Sequence, residues 1–163
     1  MAGARGALEP LIDAYALFVV EGGDSTDVSM AAAQLLASGY DSPHLRELAG
    51  EPSTSVQDDI AALVSSTMSE LGIAAAELTV LRVLRLQCER HIRGELSARA
   101  LGKWVVGHYS WSEGDETDAI LLLDDDLDEL ETLAGDWSGP TREELEAEVS
   151  ATARVFLASY PRE

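Results

Sequence analysis

The residues best equipped for chemistry in this chain are carboxylates, and they cluster. Residues 113–148 hold fifteen of the 30 acids, opposed within that window by Arg142 alone. At the centre stands Asp124-Asp125-Asp126-Leu127-Asp128-Glu129. A calcium loop is one chemistry such a run can serve, but that loop needs glycine at its sixth position and a bidentate glutamate at its twelfth. Counted from Asp124, those positions are Glu129 and Gly135, so the run does not fit. His44, His91 and His108 stand far apart and form no ligand spacing with Cys88. No metal and no cofactor is therefore expected. The sequence also lacks a nucleophile elbow, a phosphate-cradling glycine loop and a dinucleotide fingerprint. Acids in such number can supply a general acid and base, yet nothing in the sequence selects a pair. No catalytic residue is assigned, and the chain reads as a protein that is not an enzyme.

The charge narrows the partners. Thirty acids face eleven bases, for a formal net charge of -19. Nucleic acids and anionic membranes both require positive surface charge, so neither is expected as a direct partner. A helix-turn-helix over Ile92 to Val106, where Gly94 and Ser97 divide two helical stretches, is opposed by the same total charge. Two readings remain open. The acids keep the protein soluble, or they attract a basic partner. Like charges at helical spacing repel by roughly a few tenths of a kcal/mol per pair, and a merely solvated face ordinarily mixes signs. The relief can be internal, since Arg82, Arg85, Arg90, Arg93, Arg99 and Lys103 face only Glu89 and Glu95 locally. Six bases cannot neutralise fifteen acids, however. Trp111 and Trp137 flank the acidic stretch, and tryptophan commonly dominates interface energetics; alternatively each covers an end of the core. The candidate partner-binding set is Trp111, Asp118, Asp124, Asp125, Asp128, Glu129, Glu131 and Trp137, and the expected partner is a basic protein.

Helices must position these residues, because apolar residues recur at steps of three and four and no segment alternates with period two. A frayed start over residues 1–7 precedes a helix from Pro10 to Glu21. Further helices follow Ser25 or Asp27, open at Pro43 behind Ser42, follow Ser53 or Ser55, and span Leu78 to Leu96. That last stretch is apolar on nearly all sides, which predicts a central helix. Ser97 caps a helix to about His108, and the acidic helix runs from about Thr117 to Leu133. Thr141-Arg142-Glu143-Glu144 fits a capping box that opens a final helix to about Ser159. The expectation is an all-α, single-domain bundle of about seven to eight short helices over residues 8–160, with a division into 8–72 and 75–160 as the alternative. Glu9 and Asp13 disrupt a signal-peptide layout, and no apolar run approaches the roughly 18 to 20 residues of a membrane helix, so cytoplasmic residence is expected. The single cysteine permits no internal disulfide, and Cys88, in an apolar run, is expected to be a buried, inert thiol.

Three motifs carry a resemblance. They are the helix start Gly94-Glu95-Leu96-Ser97-Ala98-Arg99, the acidic Leu123-Asp124-Asp125-Asp126-Leu127-Asp128-Glu129-Leu130, and the closing Thr141-Arg142-Glu143-Glu144-Leu145. Over about residues 78–158 the chain resembles bacterial immunity proteins of the colicin D immunity type. It departs from them at Leu101, where an aromatic is usual, and in about 75 additional residues in front. Within those, Gly39 to Gly50 resembles uncharacterised helical proteins of actinobacteria. The resemblance implies neutralisation of a toxin, such as a tRNA-cleaving nuclease domain. An apolar groove serving a structural or regulatory subunit is the competing expectation, and salt dependence separates the two.

Overall fold

Eight α-helices carry the described part of the chain: α1 (Ala2–Glu21), α2 (Thr26–Ala37), α3 (Pro43–Gly50), α4 (Gln57–Leu71), α5 (Val80–Ile92), α6 (Ala98–His108), α7 (Asp115–Leu133) and α8 (Arg142–Ser159). The structure, a computed structural model, describes residues 2–22, 25–52, 57–73, 80–109, 115–133 and 138–161, with the side chains of 2–5, 57 and 115–123 outside the description. No strand occurs among the described residues, so the class is all-α as the periodicity requires. None of the described helices is long and apolar enough to cross a membrane.

The chain divides into two compact units, Met1–Val83 and Leu84–Glu163. The division falls inside α5. Gly72, with φ of 71°, closes α4 without marking it.

In the first unit α1 packs on α2, α2 on α3 and α3 on α4. Leu11, Ile12, Leu35, Leu45, Leu48 and Ile60 are fully buried in its core. α1 starts earlier than the sequence predicts and carries Pro10 inside it. Pro10 donates no bond to the Gly6 carbonyl, which is a real cost. The helix-forming residues around Leu8, itself buried, extend the apolar face past that defect. Ser42 caps α3 by accepting from the Leu45 amide at 3.2 Å, with Pro43 at the first helical position. Ser25 occupies the N-cap of α2 without capping it. Its hydroxyl donates instead to the Pro52 carbonyl at 3.3 Å, and Ser29 donates to that of Glu51 at 3.2 Å. Arg82 is half-buried and pairs with Glu9 and, at 2.7 Å, with Asp13.

In the second unit α6 and α8 both pack against α7. Leu84, Leu101, Val105, Leu127, Leu145 and Phe156 are fully buried in its core. The expectation that the α5 stretch is buried all round is corrected. Val80, Leu81 and Ile92 are exposed, and burial is confined to Val83, Leu84, Gln87 and Cys88. Arginines at 82, 85 and 90 interrupt the apolar surface too often for a fully enclosed helix. The Cys88 thiol is pushed up to about 12, by burial first and by the Glu89 charge second, which leaves it protonated and inert at neutral pH.

α8 opens on the capping box read from its sequence. The Thr141 hydroxyl accepts from the Glu144 amide at 3.3 Å, and the Glu144 carboxylate accepts from the Thr141 amide at 2.8 Å.

Candidate functional site

The acidic residues of α7 fall into an inner and an outer set, and the seam with α6 decides which is which. Gly102 on α6 lets α7 approach very closely. A Cβ placed there would lie 2.4 Å from Asp124 Oδ1 and 2.9 Å from Asp124 Cβ. Asp124 fills that space and is 4% exposed. One turn earlier on α6, Arg99 donates to Asp124 Oδ1 at 2.8 Å and to its backbone carbonyl at 3.1 Å. The same guanidinium pairs with Asp128 and stands 3.9 Å from Glu131. From α8, Arg142 donates to Glu131 at 3.1 Å.

The opposing effects are visible in the acids themselves. Burial pushes the Asp124 carboxyl above its ordinary value, against the pull of the Arg99 charge and hydrogen bond. The Arg142 hydrogen bond, helped by the Arg99 charge, holds Glu131 below its ordinary value.

This arrangement corrects one member of the expected partner-binding set. Asp124 is an internal anchor. It follows Ile120 by four residues and precedes Leu127 by three, so it lies on the inward stripe of the helix and not on the outer face. That spacing was the signal available in the sequence. Asp128 and Glu131 keep access to solvent, with side chains 61% and 45% exposed, but each is shared with an arginine. Asp125 and Glu129 are exposed, and among the described residues no ion pair reaches either. Glu143, Glu146 and Glu148 on α8 are exposed as well. Trp111 and Trp137 lie outside the described residues, as does the side chain of Asp118.

Internal pairing with the basic stretch is therefore partial. Arg99 serves α7, whereas Arg85 pairs with Glu89 at 3.0 Å, Arg93 with Glu95 at 2.6 Å, and Arg90 donates to Gln87 at 3.0 Å. Sequence reasoning missed Arg99 and Gly102 as the pair that sets the depth of α7. It also missed the stack of Trp104 on His108, with ring centroids 4.3 Å apart at the end of α6. No group of three or more metal-ligating side chains occurs among the described residues.

Comparison with protein families, with curated proteins and with solved structures finds no match to this chain.

Proposed function

We propose that this protein is a non-catalytic binding module that receives a basic protein partner on the acidic face of its second unit, in the manner of an immunity-type inhibitor of a nuclease-like toxin. One observation carries the reading. After Arg99 and Arg142 have taken their partners, Asp125 and Glu129 still stand one turn apart on the outside of α7 with no ion pair of their own among the described residues. A protein gains nothing in stability from such a pair, because the two charges repel.

A nuclease holds its substrate's phosphates with positive charge, so an array of carboxylates can occupy the same surface. Complementary charge accelerates association toward about 10⁸ M⁻¹s⁻¹ at low salt and makes it salt-sensitive. Asp125 and Glu129 supply the outward charge, with Asp128 and Glu131 at its edge. Asp118, Trp111 and Trp137 belong to the proposed surface on the strength of the sequence, the tryptophans as desolvated anchors.

The test uses co-expression with a basic nuclease-toxin domain of the colicin D type and stopped-flow association of the purified pair. The expected result is that Asp125→Lys with Glu129→Lys slows association at least tenfold and abolishes protection, while the helical circular dichroism is retained. Undiminished protection by that variant, or association indifferent to salt between 50 and about 500 mM, overturns the reading.

A further inference from the structure

We infer that the second half of α7, from Asp124 to Leu133, is a releasable strap held down by two arginines contributed by its neighbours. Three features converge on this. First, the segment is poor as a helix in isolation. Asp124, Asp125, Asp126, Asp128, Glu129 and Glu131 crowd within eight positions, and the last turn holds no base. Carboxylates there meet the negative end of the helix dipole and one another. Second, its apolar grip is small. Leu127 is the one fully buried apolar side chain among residues 124–133, Leu130 is half-buried and Leu133 is 46% exposed. Third, what remains is the clasp. Arg99 reaches from α6 to Asp124 and Asp128, and Arg142 reaches from α8 to Glu131.

A segment held by few apolar contacts and one polar hub opens locally before the unit around it unfolds. Opening exposes Asp124 and releases Asp128 and Glu131, already open to solvent, from their arginines. Asp124 then joins Asp125 and Glu129 on the outside, and Asp128 and Glu131 lose the arginines that offset their charge. The acidic face thus has a low-charge closed state and a high-charge open state, and any cation that competes with Arg99 or Arg142 favours the second. The inference rests on the packing of α7 alone and stands apart from the identity of any partner.

Hydrogen exchange on the full chain at neutral pH and low salt reads it directly. Amides of Leu127–Leu130 are expected to exchange at least tenfold faster than those of Val149–Ala153, a stretch in the middle of α8 whose two end residues are buried. Arg99→Gln combined with Asp124→Asn removes the Arg99 half of the clasp without stranding a buried charge. It is expected to speed α7 at least tenfold more and to leave α8 unchanged. Should that double variant lose its cooperative melt, Arg142→Gln takes its place, with a two- to threefold rise confined to α7. Exchange of α7 and α8 at a common rate in the parent chain, or equal acceleration of both in either variant, overturns the strap.

Discussion

α7 and α8 have nearly the same length, 19 and 18 residues, and both open on acids, yet they dispose their charge oppositely. Acids open both helices in sequence. In α8 they stop at Glu148, and the second half carries Arg154 among small and apolar residues. In α7 they persist to Glu131, two residues before the end. The positive end of a helix dipole welcomes carboxylates and the negative end opposes them. The placement of the acids therefore supports α8 and strains the end of α7. Burial follows the same division. α8 inserts Leu145, Val149, Ala153 and Phe156 into the core, whereas the described side chains of α7 contribute Leu127 and the arginine-bound Asp124. α8 is seated chiefly by that apolar face, whereas the helix that carries the outward acids depends on arginines from its neighbours.

The largest effect that can break this comparison comes from the two apolar anchors. Phe156→Ala should cost about 3–5 kcal/mol, because Phe156 is 1% exposed in the core of the second unit and its removal leaves a cavity. Leu127→Ala should fall near the lower end of its class, about 2 kcal/mol, because a strap can settle into the space it vacates. Urea denaturation followed by circular dichroism measures both. A cost for Leu127→Ala equal to that of Phe156→Ala shows α7 to be as firmly seated as α8.

Next in size is the capping box. Thr141→Ala should cost about 1 kcal/mol, since it strips the acceptor from the Glu144 amide. The acid side of the stability curve sharpens the contrast through its sign. The Glu144 carboxyl lies below its ordinary value of 4.5 because it accepts from the Thr141 amide and then from its hydroxyl. Its contribution is full above the unfolded value and is lost as pH falls through the lowered folded one. Asp124 runs the other way. Burial raises its carboxyl above the ordinary 3.8, so its contribution is present at low pH and fades as pH rises through the raised folded value. Glu144→Gln should therefore remove stability at neutral pH more than at pH 3. Asp124→Asn should do the opposite, costing more at pH 3 than at neutrality. Parallel curves for the two variants between pH 3 and 7 remove this distinction between the helices.

The fold class was legible because helical spacing and end signals are local. Ser42-Pro43, Ser97 and Thr141 with Glu144 each determine a helix start without reference to the rest of the chain. The two-unit division was harder to read, because it falls inside the continuous helix α5 and no break in pattern marks it. At the candidate site, the outward Asp125 and Glu129 follow from the period of α7. Asp124 was misplaced because its charge was weighed and its position between Ile120 and Leu127 was not. Its burial also depends on a residue that is informative only in space. Gly102 stands 22 residues away in sequence, and a glycine inside a helical run gives no sign of which neighbour it admits.

The smallest effect decides the most about function. Glu129→Lys places a cation in the penultimate turn of α7, one turn from its negative end, and removes one acid from a crowded run. Both changes favour the helix, together by about 0.3–1 kcal/mol. Glu129 is exposed, so no packing is lost to offset the gain. If the acids of α7 serve only to keep the chain soluble, the substitution should be harmless to every property that can be measured. If they meet a basic partner, the same substitution should raise the urea midpoint slightly while weakening capture. A variant that is more stable and less able to bind separates the two roles cleanly, because loss of folding cannot account for the loss of binding. A midpoint that falls shows that Glu129 is held by a contact within the fold and sinks both the strained-helix argument and the outward-facing acid.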